Sequence, residues 1–316
     1  MEEYEDNERN KKLTEYYADW VMKNKQGVVA DVTINKYMTT LDWLKKIAPD
    51  MKMRELTKSS YQAIITKYGE EHEKTTTMDF HHQVRAALVD AYDEGILKRD
   101  ISRRVVIKGK APTVKKRTKY LNKKELCKVL EELNLNTEIN WDWFILLIAK
   151  TGLRFEEALA LTPDDFDFMK LRLSVNKAFD YKDKNTFCKT KNESSMRDIL
   201  LDWRTAMQFE NMIKGMDKNE RIFKNLSGKS GRVYNSTANK YLQRLCRKAG
   251  VTEITIHALR HTHASILLYE GVSISSISRR LGHASMDVTQ RVYLHTIKEL
   301  ETKDDGKIMA SMMEIG

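Results

Sequence analysis

Apolar and aromatic side chains recur every three or four residues between about residues 8 and 100 of this 316-residue chain. That spacing places them along one face of an α-helix, so the segment predicts several amphipathic helices around a shared core. Another helix is predicted over residues 35–47, ending before Pro49. We expect the aromatic residues to lie in the core and not to form base-stacking platforms. The repeats are Leu13, Tyr16, Tyr17 and Trp20; Tyr61, Ile64, Ile65 and Tyr68; and Val84, Ala87, Leu88 and Ala91.

The helical periodicity stops where lysine and arginine are concentrated around Gly109 and Pro112. This composition is typical of a basic linker between two domains. A chain of this length can form two domains, each with its own core. We therefore expect a helical domain, a basic linker, a second domain and a C-terminal tail, over residues 1–102, 103–119, 120–296 and 297–316.

The second domain is predicted to open with helices. Asn122 followed by Glu125 is a capping-box pattern, which indicates a helix start. Helical spacing then continues through Leu161 and stops at Pro163.

Short strands are predicted next, over residues 166–179 and 196–201, because Leu171, Leu173 and Val175 alternate in the first of these segments. Helices are expected again from Trp203, including one over residues 257–270. The predicted fold is mainly α, with a small antiparallel β-sheet.

The charge balance points to an anionic partner. Lys and Arg number 55 against 45 for Asp and Glu, which gives a net charge of +10. Nucleic acid fits this balance best, because neutralising phosphates releases condensed counterions. Charge alone also fits a soluble basic protein without such a partner, so the motifs must decide.

Other classes of protein are disfavoured by composition. No apolar run approaches the length of a membrane span, and the first residues are acidic where a secretory signal is basic and then apolar. We expect a cytoplasmic protein, associated with the nucleoid, without a membrane partner. Cys127, Cys188 and Cys246 are far apart and odd in number, which argues against a disulfide framework or a zinc knuckle.

Three groups of polar residues carry the chemistry. His257 and Arg260 are followed by Leu281-Gly282-His283 and then by Tyr293. Upstream stand Thr151-Gly152-Leu153-Arg154 and, between the two, Lys189-Thr190. An arginine flanked by imidazoles can hold a phosphodiester and manage its protons, while a tyrosine can attack the phosphorus. The set therefore indicates phosphoryl transfer.

In order and spacing, these motifs resemble those of tyrosine recombinases of the phage-integrase type, in the branch of phages and conjugative transposons. The resemblance covers residues 119–296. It implies a helical core-site DNA-binding domain followed by an α+β catalytic domain. It also implies site-specific recombination, in which DNA is cut and rejoined through a 3′-phosphotyrosyl intermediate and a Holliday junction.

The resemblance implies a role for each motif residue. Two arginines clamp the phosphate, a lysine protonates the leaving 5′-oxygen, two histidines move a proton and donate a hydrogen bond, and a tyrosine is the nucleophile. In that order they are Arg154 and Arg260, Lys189, His257 and His283, and Tyr293. Lys191 is an alternative to Lys189, and Tyr234 and Tyr269 are weaker candidates for the nucleophile. Glu157 is either a carboxylate that supports Arg154 or an ordinary surface acid.

No nucleotide cofactor is expected, because the covalent intermediate conserves the energy of the phosphodiester. No metal ion is expected, because two arginines, a lysine and a tyrosine supply the charge and the nucleophile. His257, His261 and His263 are a weaker metal-site hypothesis, since no carboxylate or cysteine joins them. Two other functions remain open: a type IB topoisomerase that relaxes one duplex, and a sequence-specific DNA-binding protein without catalysis.

The expected partners are double-stranded DNA and three further copies of the chain, as a homotetramer on synapsed sites. Accessory DNA-bending or directionality proteins are further candidates. Beyond a polar break at residues 302–306, an apolar stripe contains Ile308, Met312 and Ile315. The tail can either fold onto its own core or be exchanged with a neighbouring subunit.

Overall fold

The computed structural model forms two compact units, Met1–Lys115 and Lys116–Gly316. Within the part of the chain that the structure describes, no helix is long and apolar enough to cross a lipid bilayer. The described residues are 2–111, 120–136, 138–182, 184–190, 193–226, 232–287, 289–290 and 312–314.

The first unit is helical, as the periodicity predicts. Its core includes the residues of the three apolar repeats; Tyr17, Tyr61 and Leu88, for example, are completely buried. Burying one such side chain contributes roughly 1.5–3 kcal/mol, so the aromatic positions are part of the core, as expected. The helices are α1 Glu2–Asn10, α2 Leu13–Asn24, α3 Asp31–Ile47, α4 Lys58–Glu71 and α5 Lys74–Asp93.

The second unit begins with the predicted capping box. Asn122 Oδ1 accepts a hydrogen bond from the Glu125 main-chain nitrogen at 3.0 Å, and the Glu125 carboxylate accepts one from the Asn122 nitrogen at 2.8 Å. The helices of this unit are α6 Lys123–Glu131, α7 Trp141–Thr151, α8 Phe155–Ala160, α9 Trp203–Met212, α10 Asn235–Lys248, α11 Ile256–Tyr269 and α12 Ile274–Leu281. α7 is buried along most of its length and packs against α8, α10 and α11.

The strands are shorter and more numerous than the alternation predicts. An antiparallel sheet has the order β1 Phe166–Asp167, β2 Arg172–Val175 and β5 Arg197–Leu200, and a separate hairpin pairs β3 Ala178–Asp180 with β4 Thr186–Cys188. Leu171 does not continue the alternation of Leu173 and Val175, so that part of the prediction is wrong. The Asp167 side chain accepts a hydrogen bond from the Lys170 nitrogen at 2.9 Å, and the resulting turn gives Leu171 a left-handed φ of 53°.

Candidate functional site

Two helices that meet at the site both end in a glycine with a left-handed backbone. α7 is followed by Gly152 with φ 70°, and α12 by Gly282 with φ 67°. A Cβ atom at Gly152 would lie 2.8 Å from the His263 ring, and one at Gly282 would lie 2.9 Å from Arg197 Nη1. Backbone and packing both require glycine at these positions. This accounts for the glycine in each of the two predicted motifs.

Arg260 is fastened to both helix ends. It lies on α11 and is 3% exposed. Its Nη1 donates to the Gly152 carbonyl and its Nη2 to the Leu281 carbonyl, both at 2.7 Å. These charge-assisted hydrogen bonds fix the plane of the guanidinium group.

Arg154 also bonds the end of α12. It precedes α8, and its Nη2 donates to the Gly282 carbonyl at 2.9 Å. Its Nη1 donates to Glu157 Oε1 at 2.6 Å, while its main-chain nitrogen donates to Glu157 Oε2 at 2.9 Å. The two predicted clamps are therefore held by the adjacent carbonyls of Leu281 and Gly282.

Glu157 supports Arg154 and is not a surface acid, since its side chain is 3% exposed. It also accepts a hydrogen bond from Arg197 Nη2 at 2.9 Å. Burial alone raises the pKa of the Glu157 carboxyl, but hydrogen bonds and positive charge from Arg197, together with Arg154, lower this pKa to about 2. The carboxylate is thus ionised throughout the physiological pH range.

Sequence reasoning assigned no role to Arg197, which begins β5. A signal was available, because Arg197 and Ile199 share one face of the strand and Ile199 is buried. A charged residue on the buried face of a strand needs a partner of opposite charge or several hydrogen bonds.

The sequence also gave no role to Arg280, which lies on α12. It donates to the carbonyls of Lys150 and Leu200, both at 3.0 Å.

Two of the predicted site histidines are unprotonated near neutral pH. His283 directly follows Gly282, and its Nδ1 is 2.6 Å from Thr289 Oγ1. Burial and the charges of Arg260 and Arg154 lower the pKa of His283 to about 4. Desolvation and the charge of Arg260 also lower the pKa of His257, whose ring meets that of His261 edge-on at 4.7 Å.

His263 is a buried structural histidine. Its Nδ1 lies 2.9 Å from the Ala149 carbonyl, and its Nε2 accepts a hydrogen bond from Arg280 Nε at 2.9 Å. Burial and the charge of Arg280 lower the pKa of His263 to about 3. With both ring nitrogens engaged, His263 cannot join His257 and His261 as a metal ligand. Among the described residues, no group of three His, Cys, Asp or Glu side chains could hold a metal ion.

Lys189 lies directly after β4 and is exposed. Cys188 pairs with Ala178 at the open end of the β3–β4 hairpin, so Lys189 stands at that end and not at the tip. Within the described part of the chain, no hydrogen bond or ion pair joins Lys189 to the arginine cluster formed by Arg154, Arg197 and Arg260. Tyr293 and Lys191 lie outside the described residues, as do residues 112–119 of the linker and most of the tail.

Comparison with known proteins places this site in a family. The model of the phage integrase family matches residues 119–299. A XerC-like tyrosine recombinase of Caldanaerobacter subterraneus subsp. tengcongensis is 28% identical over 238 residues, which are 67% of this chain and 60% of that protein. The ICEBs1 integrase of Bacillus subtilis is 29% identical over 217 residues, 65% of this chain and 57% of the relative. The chain thus spans about three fifths of the length of these curated relatives.

Two solved structures share the fold. The integrase of transposon Tn1549, in complex with a circular intermediate DNA, matches with a TM-score of 0.72 and 16% identity over 89% of this chain and 94% of that one. A lambda integrase dimer bound to a core site matches with a TM-score of 0.63 and 16% identity, over 90% and 78% of the two chains. These matches confirm the predicted fold class. With the family model covering both arginine motifs and the Leu-Gly-His motif, the chain belongs to the phage integrase family.

Proposed function

We propose that this protein is a site-specific DNA recombinase that cuts and rejoins DNA through a 3′-phosphotyrosyl intermediate and a Holliday junction. The observation that carries the proposal is the convergence of Arg154 and Arg260 on adjacent carbonyls, those of Gly282 and Leu281. Two arginines held this rigidly beside His283 suit a phosphate whose charge grows in the transition state.

The charge of the cluster supports the same substrate. Arg154 and Arg197 bond the Glu157 carboxylate, and Arg260 bonds the Leu281 carbonyl beside Gly282, so three positive charges stand against one negative charge. The cluster therefore carries a net positive charge in surroundings of low dielectric, where an anion is attracted strongly. A DNA phosphodiester is an anion of suitable size and charge.

The cleavage step assigns one task to each group. The Tyr293 oxygen attacks the phosphorus while the bond from phosphorus to the 5′-oxygen breaks. The phenolic proton passes to the neutral His257 imidazole, and Lys189 donates a proton to the leaving 5′-oxygen. Arg154 and Arg260 stabilise the charge that develops on the non-bridging oxygens, with a further hydrogen bond from His283. Reversal of the step by another 5′-hydroxyl rejoins the strand, so no ATP is needed. The arginines and Lys189 supply the charge that a metal ion would otherwise provide.

The test is covalent adduct formation on a nicked suicide duplex, followed on a denaturing gel with EDTA present. We expect an adduct with the unchanged protein and none with Tyr293→Phe, although the variant should still bind the duplex. Tyr234→Phe, which alters an exposed tyrosine, is the matched control. An adduct formed by Tyr293→Phe would place the nucleophile elsewhere.

The same assay tests the general acid. A 5′-bridging sulfur leaves without protonation, because the pKa of a thiol, about 8.5, is far below that of an alcohol. Lys189→Ala should therefore fail on ordinary DNA and recover on the sulfur-containing duplex. Lys182→Ala, an exposed lysine of the same hairpin, serves as control. If Lys189→Ala stays inactive on the sulfur-containing duplex, another group is the general acid, with Lys191 as the alternative.

We propose double-stranded DNA as the substrate and a homotetramer on two synapsed sites as the working assembly, with accessory bending or directionality proteins as further partners. The first unit would bind the core site and the second would cut it. Met312 and Met313 are exposed, at 61% and 78%, in keeping with a tail that docks on a neighbour. If the tail docks there, deleting residues 307–316 should weaken complexes on paired sites more than binding to one site. Equal loss of both would place the tail in the core of its own subunit.

A further inference from the structure

Arg197 makes four hydrogen bonds that link three parts of the second unit. Its Nε donates to the Arg280 carbonyl at 2.6 Å, and its Nη1 donates to the Ser195 carbonyl at 2.8 Å. Its Nη1 and Nη2 donate to the two carboxylate oxygens of Glu157 at 3.2 and 2.9 Å. The start of β5, the end of α12 and the first turn of α8 are thus joined by one side chain.

The hydrogen bonds of Arg197 leave few donors for a substrate. Burial alone does not set Arg197 apart, since its side chain is 6% exposed and Arg260, a proposed clamp, is 3% exposed. Four bonds already occupy most of the five N–H donors of a guanidinium group. Arg197 therefore differs from a phosphate clamp, although its charge is the same.

We propose that Arg197 is a positioning residue for DNA cleavage: it holds the Glu157 carboxylate and the last turn of α12, and through both it sets the orientation of Arg154. The inference rests on the proposed function, because it concerns the same reaction. Glu157 bonds Arg154 Nη1 directly, and the α12 turn supplies the Gly282 carbonyl that receives Arg154 Nη2. These two supports of the Arg154 guanidinium group therefore depend on Arg197, and a third contact, to Ser195 Oγ at 3.5 Å, comes from a residue whose carbonyl Arg197 also bonds.

The packing at Gly282 is a second observation in favour of this role. A Cβ atom there would lie 2.9 Å from Arg197 Nη1 and 3.0 Å from Ser195 Cα. The turn and the Arg197 guanidinium group are thus in contact, so a displacement of one displaces the other. Such coupling matters because a misplacement of about 1 Å can cost about a hundredfold in rate.

Removing the Arg197 charge should also make cleavage more sensitive to acid. Two charged groups contact Glu157, namely Arg197 from β5 and Arg154 from the start of α8. Of the other charged or titratable groups nearby, Arg260 on α11 donates to the Leu281 carbonyl, and His283 directly follows Gly282. Without Arg197, burial favours the protonated carboxyl, so Glu157 would take up a proton as the pH falls and would then hold Arg154 less tightly.

The experiment measures single-turnover cleavage and duplex affinity of the full chain between about pH 5 and pH 8. We expect Arg197→Gln to lower the cleavage rate by about tenfold or more, with affinity within about twofold and with a greater loss at the acid end. Arg197→Lys keeps the charge but not the fork, so it should recover part of the rate. Arg172→Gln removes an exposed arginine of the same sheet, paired with Asp198 at 3.5 Å, and should behave like the unchanged protein.

The double variant Glu157→Gln with Arg197→Gln separates positioning from general damage to the fold. An amide cannot titrate, so the double variant should cleave slowly but show the same relative decline towards acid as the unchanged protein, whose His257 must also be neutral to accept the phenolic proton. A steeper decline in the double variant than in the unchanged protein, or Arg197→Gln cleaving within about twofold of the unchanged protein at every pH, would overturn the inference. If circular dichroism shows that Arg197→Gln is unfolded, Arg197→Lys takes its place. The inference would then be overturned if Arg197→Lys cleaves as fast as the unchanged protein. Absence of any adduct with the unchanged protein would instead refute the proposed function.

Discussion

Single residues in the site are constrained mainly by what lies beside them. Gly282 and Gly271 both have a left-handed backbone, with φ 67° and 85°. They differ in their surroundings, since a Cβ atom at Gly271 would meet no atom within 4 Å, whereas one at Gly282 would meet Arg197 and Ser195. The backbone conformation requires glycine at both positions, but close packing is added only at Gly282.

This difference gives a prediction at the residue scale. Gly271→Ala should lower the free energy of unfolding by about 1 kcal/mol, the cost of a left-handed alanine. Gly282→Ala should lower it by about 3 kcal/mol, because overpacking adds to that cost. Urea unfolding of the two variants measures the difference. Equal losses would show that the site accommodates a Cβ atom at Gly282 without strain.

At the scale of elements, α12 organises the site through its last turn. Leu281 and Gly282 present the carbonyls that hold Arg260 and Arg154. Arg280 fastens this turn to α7, α11 and β5, through the Lys150 carbonyl, the His263 ring and the Leu200 carbonyl. Arg280 thus joins this helix of eight residues to three other elements, in addition to the bond that Arg197 makes to the Arg280 carbonyl.

The neighbouring arginine of α12 provides the control for this element. Arg280→Met should lower the free energy of unfolding by about 3 kcal/mol, because buried acceptors lose their donors, and should also slow cleavage. Arg279 is exposed, and its Nη2 lies 3.4 Å from Ser276 Oγ. Arg279→Met should therefore change stability by less than about 0.5 kcal/mol. Similar losses in chemical unfolding of the two variants would refute this role of Arg280.

At the scale of the whole molecule, each unit has a separate core. Ile65 in the first unit and Ile148 in the second are both completely buried, each within its own cluster of apolar side chains. A defect in one core should therefore destabilise mainly the unit that contains it.

The prediction is that Ile65→Ala and Ile148→Ala each cost roughly 2–5 kcal/mol, but in different units. Peptide-resolved hydrogen exchange of the full chain should show faster exchange in α2–α5 for the first variant and in α7–α11 for the second. Each variant is the control for the other. Faster exchange throughout the chain in either variant would mean that the two units unfold as one.

The sequence by itself determined the helices, the Asn122 capping box, the residues of the candidate site and the family resemblance. These features depend on local signals, such as apolar spacing, capping residues and short motifs. Such signals lie within a few consecutive residues and do not require contacts with distant parts of the chain. The division of residues 166–179 into separate strands was not predicted, because the turn at Lys170 depends on a side-chain hydrogen bond that interrupts the alternation.

Only the tertiary structure decided how the site residues are held. Arg260 meets the Gly152 carbonyl across 108 residues of chain, and Arg154 meets the Gly282 carbonyl across 128. Such contacts depend on how several helices and a strand pack together, which no local pattern specifies. For the same reason Arg197 and Arg280 looked like ordinary basic residues in the sequence. Their importance follows from burial, because a buried guanidinium group must find acceptors, and the acceptors available here belong to the parts that form the site.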